Sequence, residues 1–309
     1  MLPANPNVLV LVNPRAAGGR AGTLVAPMMQ WLAQRFGAGP RCVAAEGVAA
    51  AAAALAAMPR GARIALVGGD GTLQAMLPAL LEHDAELALV PLGSGNDTAR
   101  GLGLAGLDWS DALPHALDAP ATPIDLGECA FDGRRVPFAS SLTAGFDSAV
   151  GLRALAAPRA LRGLPRYLWA TLGELAALRT WPMRLEADGA LVHDGAALFA
   201  SALNTPSYGG GMPAAPGARI DDGRLDLLVA GRFGRGGALA MLPRLLAGRH
   251  LSHPRVRLLR FTELAATSPT PVPLAADGEP LGATGAWRIR VRPAALRAVR
   301  GPVRVRTSG

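Results

Sequence analysis

The stretch Val67-Gly68-Gly69-Asp70-Gly71-Thr72-Leu73 places three glycines and one carboxylate between two apolar segments. Residues 64–67 are typical of a short buried strand, and residues 73–82 are typical of a helix. Glycines lack a Cβ, so backbone N–H groups in such a loop can approach a phosphate, and the following helix adds its positive N-terminal end. The stretch predicts a phosphate-binding loop in which Asp70 holds Mg2+ or orients a nucleophile. A tight turn with a capping Asp is the simpler alternative.

Two more loops of this kind follow apolar segments. After residues 87–90 comes Pro91-Leu92-Gly93-Ser94-Gly95-Asn96-Asp97-Thr98-Ala99-Arg100. There Gly95 exposes backbone, Ser94 and Asn96 offer side-chain donors, and Asp97 caps the next helix or holds a nucleotide hydroxyl. After residues 8–12 comes Asn13-Pro14-Arg15-Ala16-Ala17-Gly18-Gly19-Arg20, in which Asn13 and Arg15 are candidates to contact phosphate. Three such loops after parallel strands predict a single crevice at the carboxyl ends of a sheet.

The order of segments predicts an α/β N-terminal domain, residues 1–124, followed by a β-rich, sandwich-like C-terminal domain, residues 125–309. Strand and helix alternate up to a Pro-rich linker near residues 119–123, as in a doubly wound, mostly parallel sheet. The Ala-rich residues 49–57 are predicted to be helical, because Ala has the highest helix propensity. Beyond the linker, strand-like runs dominate, with one helix around residues 164–178; these runs are residues 124–127, 191–204, 225–229 and 287–291.

The composition of the 309 residues, 50% of them hydrophobic, is that of a chain able to fill two cores. Cys42 and Cys129 lie far apart and form no Cys/His cluster, which predicts a reducing, cytoplasmic compartment. Residues 1–7 carry no basic side chain, so no signal peptide is expected. The longest apolar run, residues 48–58, is shorter than the roughly 20 residues of a membrane span. We therefore expect that the chain does not cross a bilayer.

The charge of the chain is concentrated in its second part. All 31 basic residues are Arg; residues 1–124 have a net charge of −2 and residues 125–309 have +10. Two Arg clusters, Arg288/Arg290/Arg292 and Arg255/Arg257/Arg260, predict peripheral docking on an anionic membrane surface. A solvated Arg-biased face is an equally good alternative. Nucleic acid is disfavoured as a partner because aromatic residues, at 5%, are too few for base stacking.

The three loops resemble those of the diacylglycerol kinase-like lipid kinases, which share a Gly-Gly-Asp-Gly loop with NAD kinases. The resemblance continues in the same order along the chain. It covers Thr143-Ala144-Gly145-Phe146-Asp147, Asn204 with Tyr208-Gly209-Gly210-Gly211-Met212, Ile220-Asp221-Asp222-Gly223-Arg224-Leu225-Asp226, and Asp277-Gly278-Glu279. The resemblance implies a transferase of lipid metabolism and phospholipid biosynthesis, with diacylglycerol or a related lipid as substrate. A homodimer is left open.

The family resemblance also implies roles for individual residues. ATP would be held by Asn13, Arg15 and the two glycine loops; these comprise Gly68, Gly69, Asp70, Gly71, Thr72, Ser94, Gly95, Asn96 and Asp97. Asp70 and Asp97 would organise Mg2+ near the phosphates, and Glu279 matches the general base of the family. Asp222, with the backbone carbonyls of Arg219 and Arg224, matches a structural Mg2+ site. Asp-Gly turns are the alternative reading of both acidic motifs.

The chain departs from the family where Val43 stands at a position often occupied by Thr, which puts one nucleotide contact in doubt. Two other functions compete with the lipid kinase. An NAD kinase-type enzyme shares the first loop, but the second loop and Asp277-Gly278-Glu279 favour the lipid-kinase branch. A non-catalytic lipid or nucleotide sensor would not need Asp70, Asp97 and Glu279. A dinucleotide-binding oxidoreductase is disfavoured because no G-x-G-x-x-G follows the first strand.

Overall fold

The structure is a computed structural model that describes residues 7–37, 40–158, 160–161 and 164–302. The chain divides into two compact units. One unit runs to Ile124 and takes in the C-terminal segment from Ala295, and the other extends from Asp125 to Ala294. The prediction that no signal peptide is present concerns residues 1–7, of which the first six lie outside the described ranges.

The first unit alternates strands with helices. Its elements are β1 (Val8–Val12), α1 (Arg20–Thr23), α2 (Val25–Phe36), β2 (Arg41–Ala44), α3 (Val48–Ala56), β3 (Arg63–Gly68), α4 (Asp70–Glu82), β4 (Glu86–Pro91), α5 (Asp97–Gly101) and α6 (Trp109–Asp118). The predicted α/β fold of this region is confirmed. Helix α4 begins at Asp70, in the middle of the quoted stretch and three residues before the predicted start at residue 73, so the loop itself is shorter than predicted.

The strands of the first unit form a parallel sheet in the order β4, β3, β1, β2. All five residues of β1 are buried, as expected for a strand covered by helices on both faces. The register pairs Val12 with Val67 and Val67 with Val90. Because the three strands end level with one another, the loops that follow them leave the sheet side by side at its carboxyl edge.

A returning segment from the end of the chain extends this sheet. Arg297 and Ala298 pair in parallel with the first residues of β4, and the Arg297 guanidinium donates a hydrogen bond to the Glu86 carboxylate at 3.0 Å. The predicted division assigned every residue after 124 to the second domain and so did not include this return. Alternation of apolar residues marks a strand, but it does not reveal which strand will be its partner.

The second unit is β-rich. Its elements are β5 (Ala121–Phe131), β6 (Arg134–Phe138), β7 (Ser141–Gly145), α7 (Phe146–Leu155), α8 (Leu164–Ala176), β8 (Trp181–Ala187), β9 (Ala190–Leu203), β10 (Leu225–Gly231), α9 (Arg235–Leu246), β11 (Val256–Phe261), β12 (Glu263–Ala276) and β13 (Glu279–Val299). Strands β5 and β13 each run through a boundary between the units. The predicted linker near residues 119–123 is wrong in this respect, because β5 begins at Ala121. Pro123 is accommodated near the start of that strand, where a missing N–H is tolerated.

The strands of the second unit pair in the order β11, β10, β9, β7, β12, β13, with antiparallel neighbours. Strand β8 pairs with both β9 and β12, and β5 pairs with β6 and β13, so the unit is sandwich-like, as predicted. One hydrophobic core lies between strands and includes Phe138, Phe261 and Trp287. A second core packs α7, α8 and α9 against strands and includes Phe146 and Phe233. Among the described residues, none of the helices has the length and hydropathy needed to span a membrane.

Candidate active site

The loop after β1 is tied to the loop after β3 by Asn13. Its Nδ2 donates a hydrogen bond to Thr72 Oγ1 at 2.7 Å, and its backbone N–H donates to the Val67 carbonyl at 3.1 Å. The backbone N–H of Arg15 donates to Asn13 Oδ1 at 3.1 Å, and the Arg15 side chain is exposed. Asn13 therefore fixes the loop, while Arg15 is available to an anion beside it.

The loops after β3 and β4 approach each other backbone to backbone. A Cβ on Gly69 would lie 2.9 Å from the Cα of Gly93, and a Cβ on Gly93 would lie 2.6 Å from the Cα of Gly69. A Cβ on Gly68 would lie 2.8 Å from Thr72 Cβ. A side chain at Gly69 or Gly93 would push the two loops apart, and one at Gly68 would collide with Thr72. The local surface is therefore made of backbone, which suits close contact with phosphate oxygens.

Asp70 joins these two loops through its side chain. Oδ2 accepts the backbone N–H of Asp97 at 3.0 Å, and Oδ1 accepts that of Thr98 at 3.1 Å. These N–H groups belong to the first turn of α5, where they have no partner within the helix. The cap of α5 is thus supplied from another loop, and Asn96, the residue before α5, makes no side-chain cap of its own. Asp70 lies where it was predicted, but its contacts are those of a structural clamp.

The loop after β4 is shaped by Asn96 and Asp97. Asn96 adopts a left-handed conformation (φ 57°), and its Nδ2 donates to the Gly93 carbonyl at 2.9 Å. Asp97 is buried and forms an ion pair with Arg100 at 3.2 Å, while Arg100 also donates to the Gly95 carbonyl. Ser94 is exposed at the tip. The structure thus brings the predicted residues of all three loops together at one edge of the sheet. Val43 lies in β2 beside Leu11.

The first unit offers few carboxylates that could bind a divalent cation. Among the described residues, no group of three or more His, Cys, Asp or Glu side chains is placed to hold a metal ion. Kinases usually bind Mg2+ through one or two carboxylates together with the phosphates of the nucleotide. Asp70 and Asp97 fit that limited role, provided that ATP supplies the other ligands. Mg2+ therefore stays a prediction.

Asp222, the predicted centre of a structural Mg2+ site, is engaged with protein groups. Oδ1 accepts the backbone N–H of Arg224 at 3.1 Å, and Oδ2 forms an ion pair with the guanidinium of Arg260. The Arg219 side chain contacts Asp221 at 3.4 Å. The positively charged guanidinium of Arg260 occupies Oδ2 of Asp222. A divalent cation could bind the same oxygen only after the Arg260 side chain had moved away. The arrangement matches the Asp-Gly turn alternative more closely than a preformed metal site.

In the motif Asp277-Gly278-Glu279, the first two residues form the turn between β12 and β13, and Glu279 is the first residue of β13. Asp277 and Gly278 both have positive φ, 48° and 86°, and Ala276 pairs with Glu279 across the hairpin. The Asp277 carboxylate is buried and accepts hydrogen bonds from the backbone N–H groups of Ala139, Ser140 and Ser141, at 2.7 to 2.9 Å, and from the Ser140 hydroxyl. Burial raises the pKa of Asp277, and these donors act against that rise. Asp277 therefore anchors the turn, and Glu279 is held exposed beside it.

Asp147 lies in the motif Thr143-Ala144-Gly145-Phe146-Asp147, but the sequence alone does not predict it as a site residue. The structure places it in a polar cluster. It lies in the first turn of α7, and its Oδ2 accepts hydrogen bonds from Ser201 Oγ and Tyr208 OH, both at 2.9 Å. Burial raises the pKa of Asp147 from 3.8 to about 7, and the two hydroxyl donors lower it only partly. Three residues separated by up to 61 positions meet here, so no local spacing could have revealed the cluster.

Two family descriptions match most of this chain. The diacylglycerol kinase catalytic domain matches residues 7–129, and the YegS C-terminal NAD kinase beta sandwich-like domain matches residues 140–300. The chain therefore belongs to the family of lipid kinases that contains diacylglycerol kinases and YegS-like proteins. Membership of a kinase family implies the use of ATP.

Relatives in sequence agree with this assignment, and solved structures share the fold. A protein of Mycobacterium tuberculosis named diacylglycerol kinase is 35% identical over 79% of each chain. A probable YegS-like lipid kinase of Pseudomonas fluorescens is 36% identical over 76% of each chain. The crystal structure of a putative diacylglycerol kinase from Bacillus anthracis superposes with a TM-score of 0.73 at 19% identity, covering 96% of this chain and 97% of that one. Yeast NADH kinase shares the fold at a TM-score of 0.52 and 10% identity, covering 98% and 85%.

The clamp at Asp70 leads to a first prediction. In Asp70→Asn an NH2 group replaces one of the two acceptor oxygens. This donor would then face a backbone N–H donor of α5, and one hydrogen bond would be lost. We expect unfolding to become easier by about 1.5–3 kcal/mol, since hydrogen bonds to charged groups contribute on this scale. Any kinase activity should fall by at least about 100-fold. Thermal melts and a phosphoryl-transfer assay check both effects.

The matched control for this test is Asp84→Asn. Asp84 is an exposed carboxylate of the same unit, paired with Arg60, in a left-handed conformation that Asn accepts. We expect this control to melt and react like the wild type. An Asp70→Asn protein with unchanged stability would contradict the clamp.

The raised pKa of Asp147 leads to a second prediction. The folded protein holds this proton more tightly than the unfolded chain, so its contribution to stability is complete below about pH 4 and is lost as the pH rises through about 7. Ser201 on β9 and Tyr208 in the following loop face the carboxylate, and no charged side chain among the described residues contributes to the shift. In Asp147→Asn, the melting temperature should fall less between about pH 5 and about pH 8 than it does in the wild type.

Other buried carboxylates with raised pKa values, such as Asp226, are present in both proteins and cancel in this comparison. Melting curves at matched ionic strength measure the difference. Parallel curves for the two proteins would show that Asp147 titrates normally.

Proposed function

We propose that this protein transfers the γ-phosphoryl group of ATP to the hydroxyl of a lipid. The observation that carries the proposal is the meeting of three loops at the carboxyl edge of the parallel sheet, with Gly69 and Gly93 in backbone contact. Such an edge is where open α/β sheets bind their ligands. The glycine loops expose backbone N–H groups, and the N-terminal end of α4 carries partial positive charge. Both features suit the triphosphate of a nucleotide.

The residues divide the work of the reaction between them. Asn13, Arg15 and the glycine loops would hold the phosphates, and Asp70 would keep the second of those loops in place. Glu279 would accept the proton as the lipid hydroxyl oxygen forms its bond to the γ-phosphorus and the bond to ADP breaks. A bound Mg2+ would neutralise charge on the phosphates. Positioning and charge stabilisation supply most of the catalysis in phosphoryl transfer, which suits a site with few reactive side chains.

Diacylglycerol is the first substrate to test. The name of the M. tuberculosis relative and of the matching catalytic-domain family both point to it, whereas the P. fluorescens relative is named only as a lipid kinase. A nicotinamide nucleotide is a weaker candidate, because the likeness to yeast NADH kinase concerns the fold alone at 10% identity. Radiolabelled ATP with a panel of lipids in mixed micelles tests the proposal. Transfer to none of them would contradict it.

Glu279 provides the sharpest test of the mechanism. Glu279→Gln keeps the size of the side chain but removes its capacity to accept a proton, and loss of a general base costs about 10²- to 10⁴-fold in rate. We expect kcat to fall by at least about 100-fold with an unchanged melting temperature, since Glu279 is exposed.

The matched control is Glu263→Gln. Glu263 is also an exposed glutamate at the first residue of a long strand, β12. We expect it to keep its activity. Equal rates in both variants would remove Glu279 from the mechanism.

We further propose that the protein docks on an anionic membrane surface. The stripe formed by Arg288, Arg290 and Arg292 is a weak candidate for the docking face. Arg290 and Arg292 both pair with Glu128, at 2.7 and 3.6 Å, and Arg135 pairs with the same carboxylate at 3.2 Å. Two of the three guanidinium groups of the stripe are therefore held by a carboxylate of the protein.

A stronger candidate is the outer face of α7, α8 and α9, in which α8 packs against both neighbours. Six large apolar side chains on these helices are exposed: Leu152, Leu155, Trp169, Leu172, Leu239 and Leu246. Exposed apolar groups of this size are typical of binding surfaces. Exposed Trp and Leu side chains on a helix that also carries basic residues are typical of a helix that lies in the membrane interface.

The charge near this face favours an anionic bilayer as its occupant. Residues 232–255, which contain α9, hold five Arg and no Asp or Glu. All five are exposed: Arg232, Arg235, Arg244, Arg249 and Arg255. Each basic side chain near an anionic leaflet contributes about 1 kcal/mol. A membrane is also where the lipid substrate resides.

A vesicle test separates the two faces. We expect the wild type to sediment with vesicles that contain phosphatidylglycerol but not with neutral phosphatidylcholine vesicles, and to be released as salt screens the charges. Leu239→Gln with Leu246→Gln should lower this binding, because both side chains would enter the interface. The control, Arg288→Gln with Arg290→Gln and Arg292→Gln, should bind more nearly like the wild type.

The opposite ranking of the two variants would place docking on the Arg stripe. If the Leu variant instead changed a dimer into a monomer in light scattering, with vesicle binding intact, a second copy of this chain would be the occupant. Either result would overturn the assignment of this face.

A further inference from the structure

Residues 139–141, which lead into β7, are held from both sides by two other residues of the second unit, Asp277 and Asn204. The Asp277 carboxylate accepts all three of their backbone N–H groups at 2.7 to 2.9 Å, and its own backbone N–H donates to the last of their carbonyls at 2.8 Å. Asn204 donates to the other two carbonyls. Its Nδ2 donates to that of Ala139 at 2.9 Å, and its backbone N–H donates to that of Ser140 at 2.8 Å.

Asn204 belongs to a motif that has no role in the proposed transfer so far. It directly follows β9, and it is fully buried, with 0% of its surface exposed. Nδ2 also donates to the Asp125 carbonyl at 2.8 Å, so both hydrogens of the amide group are used. Within the described residues, Oδ1 has no hydrogen-bond partner. The side chain therefore acts as a double donor to backbone carbonyls.

Two consecutive peptide units connect Asn204 to Asp277. In the unit that joins Ala139 to Ser140, the carbonyl accepts from Asn204 and the N–H donates to Asp277. The unit that joins Ser140 to Ser141 is bonded in the same way at both ends. A peptide unit is planar and rigid, so a rotation at its carbonyl also moves its N–H. Hydrogen bonds arranged in series also polarise and strengthen one another.

The connection extends to the turn that presents Glu279. Asp277 and Gly278 form that turn, and Asp277 is fixed to residues 139–141 through its carboxylate and its backbone N–H. Glu279 follows directly and is exposed. The place of Glu279 therefore depends on two peptide units whose opposite ends are fixed by Asn204.

We propose that Asn204 is a positioning residue, which fixes the peptide units that hold Asp277 and so sets the place of Glu279. Its effect on rate rests on the proposed lipid-kinase function, in which Glu279 is the general base. Asn204 itself touches neither substrate in this role. A misplacement of about 1 Å caused by a distant substitution can cost about 100-fold in rate.

The principal test is Asn204→Ala. This change removes the two hydrogen bonds of Nδ2 together with the unpartnered Oδ1. We expect a folded protein with a lower melting temperature and a kcat that is lower by about 10- to 100-fold. The KM for ATP should stay unchanged, because the loops proposed to bind ATP belong to the first unit.

A double-mutant cycle with Glu279→Gln separates positioning from a general packing defect. If Asn204 acts through Glu279, Asn204→Ala should lower kcat by no more than about threefold once Glu279 has been replaced, because effects on one shared path are not additive. An equal loss of kcat in both backgrounds would overturn the proposal.

Thr205→Val is the matched control. Thr205 is the next residue, is also fully buried, and donates its hydroxyl to the Ser207 carbonyl at 2.9 Å instead of to residues 139–141. We expect this variant to keep the kcat of the wild type even if it melts earlier. A fall in kcat as large as that of Asn204→Ala would count against a specific path.

Ser140→Ala repeats the test if Asn204→Ala does not fold. It removes the hydroxyl that donates to Asp277 Oδ1 at 2.7 Å, while the three N–H donors to Asp277 remain. We expect a smaller fall in kcat than for Asn204→Ala, and only in the protein that retains Glu279. An unchanged kcat, or the same loss in both backgrounds, would overturn the proposal.

Hydrogen exchange of the protein without ATP or lipid separates this inference from the kinase assignment. In Asn204→Ala, the backbone amides of residues 139–141 and of residues 276–279 should exchange faster than in the wild type, because local opening becomes easier. Thr205→Val should leave both stretches unchanged. Faster exchange at residues 276–279 supports the path from Asn204 to the turn even if no lipid is phosphorylated. Unchanged exchange there rejects it, whatever the lipid assay gives.

Discussion

The carboxyl edge of the sheet in the first unit, where we propose that ATP binds, depends on one carboxylate that faces the backbone of another loop. Asp70 accepts the N–H groups of Asp97 and Thr98, so the start of α5 is fixed by the start of α4. This contact can form only because Gly69 and Gly93 let the two chains approach without side chains between them. A short helix of five residues has little stability of its own, so the clamp supplies much of what keeps it in place. If these loops bind phosphate as proposed, contacts that already hold them together would reduce the entropy lost on binding.

The second unit uses the same device at a different place. Asp277 accepts the N–H groups of three consecutive residues at the entry to β7, and the turn that it anchors presents Glu279. In each case an aspartate fixes a neighbouring segment by accepting hydrogen bonds from backbone donors that would otherwise lack partners. Replacing either one would disturb function through geometry, which is why stability has to be measured alongside rate.

Much of the fold, and less of the site, follows from the sequence. Continuous apolar runs predicted β1, β3 and β4, because a strand covered on both faces has no polar side. The Asp-Gly pair predicted the turn before Glu279, since both residues must adopt positive φ. The return of Arg297 and Ala298 to the first sheet had no local signal. Nor did the partners of Asp70: the sequence marks a carboxylate in a glycine loop, but only the fold shows that both of its oxygens are occupied by N–H groups.

Asp147 differs from Asp70 and Asp277, the two aspartates that fix neighbouring segments, in the hydrogen bonds that its carboxylate accepts. Each clamp accepts backbone N–H groups on both of its oxygens, whereas Asp147 accepts two hydroxyl donors on one oxygen. Its burial disfavours the charged form at neutral pH. A neutral side chain of similar shape would serve the fold better. The cost of burying this carboxylate is therefore only partly offset by its two hydroxyl donors, and this difference in the number and kind of donors separates Asp147 from Asp277.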